Sequence, residues 1–182
     1  SNNEGVTFSS TANINVVEYN NITVNSTASL NFGVGSLGSM QNNITNNVIV
    51  TNSSSFNDGI RLTDGNLSIV SGNNITTFGS AAAGLNVGIN IITRSFSVNV
   101  TENIINTSGV TLNSGIILND SNNNSLVINN TINVGGSGAG QWGISLSNSI
   151  FNSNVSLNRI STGGTTSNYG ISLQNSTNAT VV

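Results

Sequence analysis

Few side chains in this chain are equipped for acid–base chemistry, and three of them fall into step. Counted from the nearest preceding glycine of a recurring phrase, Asp64 stands at +5, Arg94 at +6 and Asp120 at +5. If each phrase opens one turn of a stacked structure, these offsets place the three side chains nearly above one another. Two carboxylates in such a column are the apparatus of glycoside hydrolysis, one holding a proton for the leaving group and the other acting as base or nucleophile. Two rungs of a β-stack would separate them by roughly 9.6 Å, at the edge of the about 6.5–9.5 Å used by inverting hydrolases. The arginine on the rung between them points elsewhere. A cation favours the ionised form of a neighbouring carboxylate, whereas a general acid has to hold its proton. The expectation is a salt ladder in which Arg94 neutralises both Asp64 and Asp120.

Trp142 and Tyr169 each stand immediately before a phrase glycine, as does Phe32, so they too share one column. Trp142 and Tyr169 fall on consecutive rungs, where an exposed pair would hold sugar rings and a covered pair would stabilise a corner by offset stacking. Other chemistries have no residues to work with. The chain contains neither His nor Cys, which removes the Ser-His and Cys-His nucleophiles and the usual zinc ligands. Gly135-Gly136-Ser137-Gly138-Ala139-Gly140 follows the calcium-binding GGxGxD roll until its sixth position, where glycine replaces the ligand. Gly33-Val34-Gly35-Ser36-Leu37-Gly38 satisfies GxGxxG, but the residues after it are Asn-rich rather than helical, so no helix N-terminus is there for a pyrophosphate. No catalytic residue, cofactor or metal site is expected. Fourteen Asn-x-Ser/Thr sequons are N-glycosylation candidates: Asn21, Asn25, Asn43, Asn52, Asn66, Asn74, Asn99, Asn106, Asn119, Asn123, Asn129, Asn154, Asn175 and Asn178. With 37 Asn and 48 Ser and Thr among 182 residues, roughly ten would arise by chance, so the count alone is weak evidence of glycan.

The phrase that sets these columns is glycine followed by two apolar residues flanking one outward position. Gly59-Ile60-Arg61-Leu62, Gly88-Ile89-Asn90-Ile91, Gly115-Ile116-Ile117-Leu118, Gly143-Ile144-Ser145-Leu146 and Gly170-Ile171-Ser172-Leu173 succeed one another at steps of 29, 27, 28 and 27. Gly5-Val6-Thr7-Phe8 and Gly33-Val34 extend the series upstream. A fixed step of this length marks a solenoid whose units must stack to bury their apolar face. Within a repeat, alternation of period 2 is strand chemistry. A second apolar cluster comes next in each repeat: Val16 and Val17, Ile69 and Val70, Val98 and Val100, Leu126 and Ile128, Val155 and Leu157. A third is expected at Ile22, Ile49, Ile75, Ile104, Ile132 and Ile160. Asn, Ser, Gly and Thr between the clusters accept tight corners, and stacked asparagines are expected to form hydrogen-bonded ladders there. The prediction is an all-β fold: a right-handed parallel β-helix (β-solenoid) with three short strands per coil and about 28 residues per coil, the hand following from that of parallel crossovers. Residues 1–182 would form a single domain of about six and a half coils, a rod roughly 30 Å long.

Composition narrows the function. Three Arg, no Lys and six acidic residues cannot make the basic stripe that a phosphate backbone requires, so nucleic acid is excluded as a partner. No run of about 18 apolar residues spans a membrane, and no regular Thr-x-Thr array appears on the outward positions, as an ice-binding face would need. With its Gly-Ile-x-Leu phrases, Asn-rich corners such as Asn20-Asn21-Ile22 and Asn73-Asn74-Ile75, and Asn/Ser/Thr background, the chain resembles parallel β-helix repeat segments of large adhesin-like surface proteins of archaea and bacteria, within the pectate-lyase-like β-helix superfold. The resemblance covers nearly the whole chain and implies architecture more than chemistry, since the superfold also carries polysaccharide-degrading enzymes. The expected function is non-catalytic: a structural or adhesive, extracellular or cell-surface stalk segment or filament subunit. Both terminal coils read as uncapped, so the expected partners are further repeats of the same chain or copies of itself end to end, together with surface glycans. The alternative is a carbohydrate-binding or polysaccharide-degrading β-helix that uses Trp142, Tyr169, Asp64 and Asp120.

Overall fold

A computed structural model describes residues 3–10, 12–27, 30–54, 56–80, 84–120, 123–148 and 150–182. Every regular element among them is a β-strand, and no helix is long and apolar enough to cross a membrane. The chain winds as a parallel β-solenoid of six complete coils and two strands of a seventh, laying one strand per coil into each of three parallel sheets. Sheet A holds β1 (Asn3–Phe8), β4 (Asn31–Leu37), β7 (Asn57–Thr63), β10 (Asn86–Ile92), β13 (Ser114–Asn119), β16 (Trp142–Ser147) and β19 (Tyr169–Gln174). Sheet B holds the short strands β2 (Val16–Glu18), β5 (Asn43–Thr45), β8 (Ile69–Ser71), β11 (Asn99–Thr101), β14 (Leu126–Ile128), β17 (Asn154–Ser156) and β20 (Thr180–Val181). Sheet C holds β3 (Asn21–Asn25), β6 (Val48–Ser53), β9 (Asn74–Gly79), β12 (Ile104–Gly109), β15 (Thr131–Gly136) and β18 (Arg159–Thr162).

The recurring glycine has a steric cause. Pairing in sheet A skips it in every coil: Phe32 pairs with Asp58 and Val34 with Ile60, and the pattern continues through Val87, Ser114, Trp142 and Tyr169. There the strand bends toward the interior, and the hollow left by the missing side chain is filled by the sheet C isoleucine of the same coil. A Cβ on Gly88 would lie 2.2 Å from Ile105 Cγ2 and 2.7 Å from the Gly115 carbonyl oxygen. Gly59 meets Ile75, and Gly115 meets Ile132, in the same way. The phrase and the third apolar cluster are thus two halves of one contact.

The core is one column of stacked side chains: Val34, Ile60, Ile89, Ile116 and Ile144 from sheet A, Ile44, Val70, Val100, Val127 and Val155 from sheet B, and Ile49, Ile75, Ile105 and Ile132 from sheet C. Two expected clusters need correction. Ile105, not Ile104, points inward on β12, and Ile104 is half exposed. On sheet B the single inward residue is the middle one of each three-residue strand, Val17, Ile44, Val70, Val100, Val127 or Val155. Val16 and Ile69 are therefore exposed, Leu157 is exposed at the corner beyond β17, and Leu126 and Ile128 flank the buried Val127. A further inward column on sheet C reads Val24, Thr51, Thr77, Thr107, Val134. The hydroxyls of its three threonines have no hydrogen-bond partner, so threonine stands there in valine's shape.

Two asparagine ladders hold the corners. Between sheets B and C, Asn20, Asn47, Asn73, Asn103, Asn130 and Asn158 stack, and each side-chain Nδ2 donates to the next Oδ1 at 2.9–3.1 Å. The backbone N–H of each of the first five donates to that same oxygen at 2.9–3.0 Å. Between sheets C and A the buried Asn31, Asn57, Asn86, Asn113 and Gln141 form a second column, linked at 2.7–3.4 Å. The left-handed corner residue usually precedes the ladder asparagine rather than being it: Tyr19, Asn46, Gly72, Glu102, Asn129 and Leu157 have φ between 56° and 67°.

The steric account makes a contrast testable. Gly88→Ala should cost about 1–3 kcal/mol or more in chemical denaturation because backbone on one side cannot yield, whereas Gly135→Ala, with nothing within 4 Å of the new methyl, should be tolerated. Equal tolerance of both substitutions would contradict it.

Candidate functional site

The outer face of sheet A carries a cluster that spans three coils. Phe32, Asp58 and Val87 are successive Cα partners, one residue before the glycine bend, and all three are nearly or fully buried. Three residues along β7, Arg61 turns back toward Asp58 (Nη1 to Oδ2, 3.5 Å) with its guanidinium 5.0 Å from the centre of the Phe32 ring. From β10, Asn90 Nδ2 donates to Asp58 Oδ2 at 3.0 Å. Burial pushes the Asp58 carboxyl up from 3.8 to about 6, and the Asn90 hydrogen bond and the Arg61 charge only partly oppose it. Arg61 Nε and Asn90 Oδ1 are buried without a partner.

This arrangement can take up and release a proton near neutral pH. For sugar hydrolysis it would also need a second carboxylate across the scissile bond. Glu4 shares Asp58's column two strands away, and Phe32 occupies the rung between them. In the folded chain the cluster ties β4 to β7 through the Arg61 guanidinium on the Phe32 ring and β7 to β10 through the Asn90–Asp58 hydrogen bond, while the Arg61–Asp58 ion pair lies within β7. Counting charges forward from the glycine misses it, because Asp58 lies one residue before that glycine. The available signal was the outward position shared by Arg61 and Asn90, which brings both onto the same face as the residue preceding the bend.

The column of Asp64, Arg94 and Asp120 lies at the corner that succeeds sheet A, and all three have left-handed φ, of 53°, 45° and 61°. Their backbones stack, with Arg94 N–H donating to the Asp120 carbonyl at 2.9 Å. Their side chains join on one side only. Arg94 Nε meets Asp64 Oδ1 at 3.2 Å, while Asp120 Oδ2 accepts from Asn119 Nδ2 at 3.1 Å. The Arg94–Asp64 pair is largely solvent-exposed, and such pairs contribute about 0–1 kcal/mol.

Trp142 and Tyr169 are Cα partners on adjacent strands of sheet A. Tyr169 is half exposed, and Trp142 is more covered, with its indole N–H buried and unpartnered. Phe32 shares their column but lies four rungs from Trp142, beneath Arg61. The fourteen sequon asparagines are all at least partly exposed. No ladder asparagine at the B–C corner carries a sequon, because two residues on stands the inward isoleucine of sheet C, as in Asn73-Asn74-Ile75 and Asn103-Ile104-Ile105. Among the described residues no three His, Cys, Asp or Glu side chains gather as a metal site would require. Comparison with protein-family models, curated proteins and solved structures found no match.

Because the folded-state value of Asp58 lies above its unfolded one, its contribution to stability is fully present below pH about 4 and is lost as pH rises through about 6. Thermal unfolding should show the chain gaining stability from pH 7 to pH 4, by on the order of 3 kcal/mol at most from this group. Asp58→Asn should flatten that dependence. A variant that keeps the wild-type slope would show that the carboxyl is not the group responsible.

Proposed function

We propose that this chain is a non-catalytic structural segment of an extracellular or cell-surface rod, a stalk or filament unit that extends by adding coils along its axis. The observation that carries this reading is the directionality of the B–C ladder. Each asparagine turns its Oδ1 to one neighbour and its Nδ2 and backbone N–H to the other. The two faces of any coil are therefore complementary, whether the next coil comes from the same chain or from another copy. Parallel strands in all three sheets add backbone donors and acceptors in the same register. A neutral surface also suits a scaffold: charged residues make up only 5% of the chain, so little like-charge repulsion opposes axial stacking.

The rod itself is the readout. Electron microscopy of the parent protein, or of copies joined in tandem with the 27- to 28-residue step preserved, should show rods that lengthen by about 4.8 Å per added coil. Compact particles whose length does not grow with coil number would contradict the proposal. So would turnover of a polysaccharide that disappears in Asp64→Asn or Asp58→Asn.

A further inference from the structure

Three outward columns of this solenoid alternate asparagine with an apolar residue, with a period of two coils, over four to six coils. The first outward position of sheet B reads Val16, Asn43, Ile69, Asn99, Leu126, Asn154, each the Cα partner of the next, before Thr180 ends the alternation. The first outward position of sheet C runs in the opposite phase over four coils, Asn21, Val48, Asn74, Ile104, and then leaves the alternation at Thr131 and Arg159. The corner before sheet B repeats the alternation as Asn13, Met40, Asn66, Phe96, Asn123, Phe151. There the asparagine Oδ1 accepts the backbone N–H of the next apolar residue, at 2.7 Å for Phe96 and 2.9 Å for Phe151. Seven of the apolar side chains are exposed, from 39% for Met40 and Phe96 to 60% for Val16, and Leu126 is half-buried, so that they form a checkerboard with asparagine.

Nearly all of these asparagines are sequons. In the three columns a hydroxyl stands two residues after Asn21, Asn43, Asn66, Asn74, Asn99, Asn123 and Asn154, and only Asn13 lacks one. Two residues after the eight apolar members stand Glu18, Asn42, Val50, Ser71, Val98, Asn106, Ile128 and Ser153, of which two are hydroxyls. At Asn66 and Asn123 the hydroxyls two residues on, Ser68 and Ser125, are buried and accept backbone N–H groups at the corner before sheet B, so the fold itself uses them. At Asn21, Asn43, Asn74, Asn99 and Asn154 strand alternation requires a polar outward residue but does not require that a hydroxyl follow asparagine. The acceptor chemistry of asparagine-linked glycosylation does.

We propose that Asn21, Asn43, Asn66, Asn74, Asn99, Asn123 and Asn154 are acceptors for asparagine-linked glycans, and that these glycans shelter the exposed apolar side chains on the intervening rungs. The donor is an oligosaccharide linked through phosphate to a polyprenol, supplied with its transferase by the exporting cell. A bond forms between the asparagine Nδ2 and the sugar C1, the C1–O bond to phosphate breaks, the amide gives up a proton, and the lipid phosphate leaves. Spacing favours the pattern. Sugar rings on adjacent rungs, about 4.8 Å apart, would collide, whereas two rungs, about 9.6 Å, leave room for a ring and for its apolar C–H face to lie over the side chain between. The proposal rests on the export assumed for a surface rod but not on axial assembly.

The test is site-resolved glycopeptide mass spectrometry of the full chain, secreted from a host with asparagine-linked glycosylation and carrying a flexible tail with one reference sequon. With the tail modified, occupancy should be severalfold higher at the seven checkerboard sites than at Asn25, Asn52, Asn106, Asn119, Asn129, Asn175 and Asn178. Bare checkerboard sites, or even occupancy across all fourteen, would overturn the assignment. Thr45→Ala, Thr101→Ala and Ser156→Ala together keep the sheet B asparagines but remove their sequons. The secreted triple variant should bind a surface-hydrophobicity dye severalfold more strongly than the glycosylated parent, and unchanged dye binding would overturn the sheltering role. Electron microscopy of rods reads a different property, so failure of either proposal is seen separately.

Discussion

A coil of this solenoid turns three corners in fewer than thirty residues, and at the corners the backbone amides leave the sheet ladders that would otherwise pair them. Unpaired and buried, each would cost about 1–3 kcal/mol. The asparagine ladder between sheets B and C prevents that. Asn103 alone donates through Nδ2 to the Val70, Thr101 and Asn130 oxygens, and its Oδ1 accepts from both nitrogens of Asn73. At a net of about 0.5–1.5 kcal/mol per bond, this network offsets the about 1–2 kcal/mol that a non-glycine residue loses in the left-handed region. Residues as ill-suited to that region as Tyr19 and Leu157 can therefore turn the corner, since the next asparagine fixes the chain on the far side.

Once the corners are fixed, coil length and stacking are determined too. Identical registers bring the phrase glycine beneath the isoleucine of its own coil, and the bend left by that glycine closes the triangle around a dry apolar column. The ladders and the column together occupy the inward positions. Outward positions carry the chain's few charges, most of its aromatics and its sequons, Phe8 packing inward against the column. Asp58 is an intermediate case. It faces outward in the pairing pattern, yet Phe32, Arg61 and Asn90 surround it closely enough to raise its proton affinity.

Much of this was legible in the sequence because the repeat is caused by a contact. The glycine, the Ile-x-Leu alternation and the isoleucine some sixteen residues later are each demanded by the same close approach, so their spacing reported the coil, the three sheets and the columns. Errors arose where adjacent apolar residues competed for one inward place. Ile104 and Ile105 are indistinguishable by type, and only the two-residue step from Asn103 identifies Ile105. Leu126 and Ile128 bracket Val127, and three apolar residues in a row hide which one is buried. Residue type alone does not separate ladder asparagines from surface ones, although the residue two places on does: an inward isoleucine at the B–C corner, and frequently a hydroxyl on the outer face. The Asp58 cluster is not legible from spacing, because its members come from three coils and its aspartate precedes the phrase glycine. The Asp64 and Arg94 placement followed the column, while the departure of Asp120 to Asn119 depends on side-chain reach that spacing does not encode.

Hydrogen exchange tests most directly whether the asparagine ladder holds the corners. The backbone amides of Asn47, Asn73 and Asn103, which donate to side-chain oxygens rather than to any strand, should exchange as slowly as those of Ile60, Ile89 and Ile116 in sheet A. If the three corner amides exchange as fast as those of an exposed turn while the sheet amides stay protected, the ladder does not hold the corners, and another source must be found for the solenoid's regularity.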